Sequence, residues 1–260
     1  MTHPLVVEVR AALEKAADPA KAPKMQAYMK STMPYRGVSA PEQKAIWRQV
    51  FPSHSLSSRD QWQRVALALW RDAEFREERY AAVALTGLHS YASYRTMASI
   101  PMFEEMIVSG AWWDFVDAIA GRQLGDILRT DPRRMSALMR RWARDAHMWK
   151  RRAAILCQLG FKRDTDLTLL YDCIEPNLTD KVTRAPDGSL MAGQFFIRKA
   201  IGWALRQYAW TDPRAVKRYV KENRARLSNL SVREALKNLM DHDTPSHRGT
   251  EKTPYTKRSG

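Results

Sequence analysis

A four-residue pattern recurs along this chain: Arg79-Tyr80-Ala81-Ala82, Val116-Asp117-Ala118-Ile119, Arg151-Arg152-Ala153-Ala154 and Arg198-Lys199-Ala200-Ile201. Its second positions, Tyr80, Asp117, Arg152 and Lys199, are separated by 37, 35 and 47 residues, the range of repeats built from paired helices. Such units cannot bury their apolar faces alone, so they stack, and equivalent positions line up on one face. Asp117 is then a single carboxylate in a row of basic and aromatic side chains. That placement predicts a chemical site in a groove that attracts anions.

Helical periodicity dominates the rest of the chain and strand signals are nearly absent. Helices are expected over Val6 to Ala17, Ser39 to Phe51, Gln61 to Asp72, Glu74 to His89, Pro101 to Ser109, Trp112 to Arg129, Pro132 to Asp145, His147 to Leu159, Asp164 to Ile174, Gly193 to Trp210, Pro213 to Asn223 and Ser231 to Asp241. Ser39 and Glu42 have capping-box spacing. Thr130-Asp131-Pro132-Arg133 and Thr211-Asp212-Pro213-Arg214 are identical junctions, with Asp as the incoming cap and Pro at the first helical position. The fold expected is all-α, an α-solenoid of about six helix pairs at about 40 residues each. Residues 1–242 read as one domain. Glu175 to Ala192, with Pro176, Pro186 and Asp187-Gly188, reads as an inserted loop, and residues 243–260 as a basic, disordered tail.

The 43 Lys and Arg against 28 Asp and Glu give a net charge of +15. A surplus of that size predicts a polyanionic partner, because neutralised phosphates release condensed counterions. Cys157 and Cys173 lack zinc-ligand or redox spacing and read as core residues of a reducing compartment. The six histidines are scattered and no glycine-rich phosphate loop is present, so neither metal nor cofactor is expected. No leader-like or membrane-spanning apolar run is seen, which predicts a cytoplasmic protein.

On a helix, residues four apart share a face, so Trp113 projects with Asp117 and Lys199 with Trp203, while Arg206 lies on a neighbouring line. A carboxylate flanked by two tryptophans and cations makes little sense as a hydrophobic core. Basic clusters at Arg133, Arg134, Arg140, Arg141 and Arg144, then Lys150, Arg151 and Arg152, then Arg214, Lys217, Arg218 and Lys221 are expected to form a track for a phosphate backbone.

From about Lys24 to about Asp241 the chain also resembles the AlkD-like DNA alkylation repair glycosylases. The segments that carry the resemblance are Met25-Gln26-Ala27-Tyr28-Met29-Lys30, Trp112-Trp113-Asp114-Phe115-Val116-Asp117, Trp149 to Leu156 and Phe195 to Arg206. The resemblance implies a right-handed-type α-solenoid of HEAT-like repeats with a concave DNA-binding face. It also implies that Asp117 is the catalytic carboxylate, that Trp113 and Trp203 are cleft tryptophans, that Arg152 is an active-site arginine and that Tyr28 is the family's N-terminal tyrosine. It further implies excision of cationic bases such as N3-methyladenine and N7-methylguanine from double-stranded DNA, in an open groove without deep base flipping. Asp117 is expected to stabilise the sugar cation and position water, Trp113 and Trp203 to pack on the deoxyribose, and Arg152 to hold a phosphate. Tyr28, Lys150, Arg151, Lys199 and Arg206 are the expected DNA contacts, and the protein is expected to act as a monomer. Two rival readings are a non-catalytic binder of bent or branched DNA on the same scaffold and a helical scaffold for acidic partners.

Overall fold

The structure is a computed structural model that describes residues 2–178 and 192–239. The described residues contain no strand and fourteen α-helices: α1 (Pro4–Lys15), α2 (Ala22–Met29), α3 (Ala40–Val50), α4 (Arg59–Arg71), α5 (Arg76–Thr86), α6 (Ile100–Gly110), α7 (Trp113–Ala118), α8 (Gly125–Thr130), α9 (Pro132–Trp142), α10 (Met148–Leu156), α11 (Leu167–Ile174), α12 (Ala192–Ala209), α13 (Pro213–Glu222) and α14 (Asn229–Leu236). The expected inserted loop lies largely outside the described residues, apart from a 3₁₀ turn at Glu175–Asn177, and the basic tail lies wholly outside them.

The chain folds as a helical-repeat solenoid. Helices α3, α5, α7, α10, α12 and α14 pack in succession, each on the next. In a second layer α1, α4 and α6 stack in the N-terminal half. In the C-terminal half α9 packs on α11, and α11 meets α13 through Tyr171 and Tyr219, stacked at 4.2 Å. One continuous apolar core runs between the layers from Leu5 to Ala235.

The structure extends the sequence recurrence at both ends. Gln43-Lys44-Ala45-Ile46 in α3 and Arg233-Glu234-Ala235-Leu236 in α14 place Lys44 36 residues before Tyr80 and Glu234 35 after Lys199. Lys44, Tyr80, Asp117, Arg152, Lys199 and Glu234 thus mark the six successive helices of one layer. The alanine that follows the row position is buried at Ala81, Ala153, Ala200 and Ala235 and exposed at Ala45 and Ala118. At the four buried positions a small side chain lets neighbouring helices approach closely.

Local chemistry sets the junctions. Asp131 accepts from the Arg134 backbone N–H at 3.2 Å and Asp212 from that of Ala215 at 2.9 Å, so the two repeated junctions are capped alike. Glu42 reaches back to the Ser39 backbone N–H at 2.7 Å, completing the expected capping box. Two expectations are corrected. Ala22–Met29 is a helix that periodicity did not mark, because of its side chains only Met29 is buried. The single helix expected from Trp112 to Arg129 is interrupted by a π-helical segment, Ile119–Leu124, of the kind that often accompanies functional sites.

Helices α12 and α14 pack closely on each other. A Cβ added to Gly202 would stand 2.5 Å from Glu234 Cβ and 2.8 Å from the Ser231 carbonyl oxygen. Glycine lets α14 approach far enough for Glu234 to reach the cations of α12. Gly202→Ala is therefore expected to destabilise the protein by about 1–3 kcal/mol, read as a lowered urea midpoint; an unchanged midpoint would show that α14 moves aside freely.

Candidate active site

Asp117 sits on the last turn of α7, one turn beyond Trp113. Its side chain is 12% exposed and the facing Arg152 side chain on α10 is 4% exposed. Arg152 donates from Nε to Asp117 Oδ1 and from Nη2 to Oδ2, both at 2.7 Å. This is the bidentate fork that guanidinium geometry favours. The third donor, Nη1, goes to the Phe196 carbonyl oxygen at 2.5 Å, so one side chain ties α7, α10 and α12 together. Burial pushes the Asp117 carboxyl above its ordinary range; the hydrogen bonds and charge of Arg152 pull it back, and the nearby Asp114 charge adds to the rise.

Around this pair lies a cleft of about 300 Å³, lined by Trp113, Asp117, Arg152, Phe195, Phe196, Lys199, Trp203 and Arg206. Helix α12 contributes Phe195, Lys199, Trp203 and Arg206 as one stripe, at spacings of four, four and three residues. Phe195 is half exposed at 52%. Phe196 packs inward against Trp149 at 4.9 Å and Trp112 at 5.4 Å, a rigid aromatic backing for the cleft. The cleft is thus aromatic on its walls, cationic along α12 and acidic at one point.

Both α12 cations are held by the same acid. Lys199 Nζ lies 2.7 Å from Glu234 Oε1, and Arg206 Nη1 lies 2.7 Å from Oε2. The Lys199 ammonium, hydrogen-bonded to Glu234, leads the effects that keep this carboxyl below the usual range.

Of the residues singled out from sequence, Trp113, Asp117, Arg152, Lys199, Trp203 and Arg206 come together in this cleft; Tyr28, Lys150 and Arg151 do not line it. Tyr28 is 79% exposed on α2, beside a second depression formed with Met25, Met29, Tyr35, Trp47 and Tyr80. Lys150 is paired with Glu104 at 2.7 Å and Asp145 at 2.6 Å. Arg151 donates to the carbonyl oxygens of Asp145 and Ala146. The guanidinium of Arg152, for which a phosphate was expected, is here buried and engaged by Asp117 and the Phe196 carbonyl. Of the clusters expected to form a basic track, those on α9 and α13 lie in the second layer, and Lys150, Arg151 and Arg152 on α10 have partners within the protein.

Sequence reading passed over Phe195, Phe196, Asp114 and Glu234. For Glu234 the signal was present, since the Arg233–Leu236 tetrad repeats the pattern one unit after Lys199. Asp114 pairs with Arg76, 38 residues earlier, again about one repeat away.

A family model described as DNA alkylation repair enzyme matches residues 9–239. The chain belongs to this family. A solved structure titled as a predicted DNA alkylation repair enzyme from Enterococcus faecalis is similar, with 29% sequence identity, a TM-score of 0.73, and coverage of 86% of this chain and 96% of that one. A comparison with curated proteins found no match. Family membership supports a role in the repair of alkylated DNA. Among the described residues no helix is long and apolar enough to cross a membrane.

The buried pair makes a stability prediction. Arg152→Met leaves the Asp117 charge buried without its cation and is expected to cost about 3–5 kcal/mol at neutral pH. Without Arg152, burial raises the folded-state pKa of Asp117 further above its unfolded value of about 3.9. The penalty is therefore complete above the folded pKa and shrinks as pH falls toward the unfolded one. Urea unfolding at about pH 7 and about pH 5 checks this; an equal loss at both would show that Asp117 is not the source.

Proposed function

We propose that this protein is a monofunctional DNA glycosylase, hydrolysing the N-glycosidic bond of positively charged alkylated purines such as N3-methyladenine and N7-methylguanine in duplex DNA. The observation that carries the reading is a single carboxylate, Asp117, held by Arg152 in a cleft walled by Trp113 and Trp203.

Glycoside hydrolysis ordinarily uses two carboxyl groups, one to protonate the leaving group and one to serve the oxocarbenium-like sugar. A cationic purine needs no acid. As the C1′–N bond breaks, its electron pair passes to the base, which leaves neutral, and the positive charge moves to the sugar. Asp117 faces that charge and orients a water whose oxygen bonds to C1′; the proton lost from the water goes to solvent. The negative faces of Trp113 and Trp203 favour the same cation. Arg152 keeps the carboxylate ionised and aimed, while Lys199 and Arg206 serve the flanking phosphates. The base is engaged without deep flipping into an enclosed pocket.

Incubation with methylated duplex DNA, followed by mass spectrometry of the released bases, tests the reading. The wild type should release methylated purines and Asp117→Asn almost none, with duplex affinity equal or higher. Turnover by Asp117→Asn would remove Asp117 from the chemistry. No release by the wild type despite tight duplex binding would favour the non-catalytic binder of bent or branched DNA.

Two further outcomes are expected. Excision needs ionised Asp117, so its rate should rise with pH through an acid limb placed above the ordinary aspartate value of about 3.9, in keeping with the upward shift of this group. Hydrolysis by water forms no Schiff base, so borohydride should trap no protein–DNA adduct; a trapped adduct would point to an amine nucleophile, with Lys199 the one lining the cleft.

A further inference from the structure

Helix α7 carries both Trp113 and Asp117; its α-helical part is only six residues long, starts after non-helical backbone and runs on into the π-helical segment. It follows Ala111, whose backbone is left-handed at φ 41°, and an extended Trp112; beyond it the π-helical segment begins. Its α-type ladder is short and changes type just after Asp117, so contacts from neighbouring helices also bear on where that side chain points.

A second buried network supplies such contacts. Arg76, at the start of α5 and 5% exposed, donates from Nη2 to Asp114 Oδ1 at 2.8 Å and Oδ2 at 2.9 Å. Its guanidinium also lies 4.2 Å from the centre of the Phe115 ring, so it grips two successive residues of α7. Tyr80 donates to Asp114 Oδ2 at 2.5 Å, and the Tyr35 and Tyr80 hydroxyls are 2.8 Å apart. Arg76 Nη1 reaches Ser31 Oγ at 3.3 Å, and the Arg76 backbone N–H bonds to the Pro34 carbonyl at 2.9 Å. Burial raises the Tyr80 phenol above its usual range, which keeps its hydroxyl a donor.

Helix α7 is thus held between two Arg–Asp forks, Arg76–Asp114 from α5 and Arg152–Asp117 from α10. The second makes Asp117 part of the cleft, whereas Asp114 does not line it. We propose that Asp114, clamped by Arg76 and Tyr80, is a positioning residue that sets where α7 presents Asp117 to the lesion. The proposal rests on the glycosylase reading of the cleft. It differs from a purely structural role in that Asp114 also acts on Asp117 through its charge.

The charged groups around Asp117 are Arg152 from α10, Lys199 and Arg206 from α12, Asp114 on α7 itself, and Arg76 from α5 behind Asp114. Asp114 is the acid among them, and its charge raises the Asp117 pKa. Asp114→Asn removes that charge and loosens the fork, while Tyr80→Phe removes one hydrogen bond and leaves the charge. In single-turnover release of N7-methylguanine, Asp114→Asn should be about 10- to 100-fold slower, with unchanged duplex affinity and an acid limb moved to lower pH. Tyr80→Phe should be slower by a smaller factor with the limb in place, and it decides the rate arm if Asp114→Asn does not fold. Wild-type rates in the folded variants, or an unmoved limb in Asp114→Asn, would overturn the proposal.

If the wild type releases no base, the glycosylase reading fails by itself. Carbon-13 NMR titration of the Asp117 carboxyl, wild type against Asp114→Asn, still decides the influence of Asp114. A lower midpoint in the variant supports it, and an identical one rejects it.

Discussion

The fork between Arg152 and Asp117 is the interaction on which the site depends. Burying a carboxylate in a cleft of aromatic rings is costly, and the cost is offset only by a cation with near-ideal hydrogen-bond geometry. Arg152 meets that need with two of its nitrogens and spends a third on the Phe196 carbonyl. The same side chain therefore opposes the effect of burial on Asp117 and ties down α12, the helix that brings Phe195, Lys199, Trp203 and Arg206 to the cleft. Chemistry and scaffold meet in one guanidinium.

Neighbouring helices of the row repeat this device with different partners. Arg76 and Asp114 join α5 to α7, Arg152 and Asp117 join α7 to α10, and Lys199 and Arg206 with Glu234 join α12 to α14. Each pair bridges units about one repeat apart in sequence, so charge and register are specified together. The three pairs differ in what they leave accessible: Arg76 is almost wholly covered, whereas the Lys199 side chain is 41% exposed. On the proposed reading, a DNA phosphate reaching Lys199 and Arg206 would compete with Glu234 for them. Much of the net charge of +15 lies elsewhere, including the second-layer helices α9 and α13.

The fold was legible because the repeat writes itself into sequence as a tetrad whose alanine is buried between helices in four of the six units. The Asp117 cleft was legible for the same reason, since Trp113 and Asp117, then Lys199, Trp203 and Arg206, lie at helical spacings. What could not be read was which cations are spent inside the protein. Lys150, Arg151 and Arg152 look alike in sequence, yet one holds two carboxylates, one bonds carbonyl oxygens and one forms the fork with Asp117. The π-helical segment after α7 was equally hidden, because an extra residue in one turn leaves the apolar pattern almost intact. Asp114 was inconspicuous beside Asp117, and only the position of Arg76 in space shows its purpose.

In the proposed chemistry one carboxylate is enough because the lesion carries its own positive charge. The most direct measurement is single-turnover excision from two matched duplexes, one holding N7-methylguanine and the other the uncharged base hypoxanthine. Release of the cationic base with no detectable release of the neutral one is the expected result. Comparable rates on both would mean that a general acid operates in this cleft, contradicting the account.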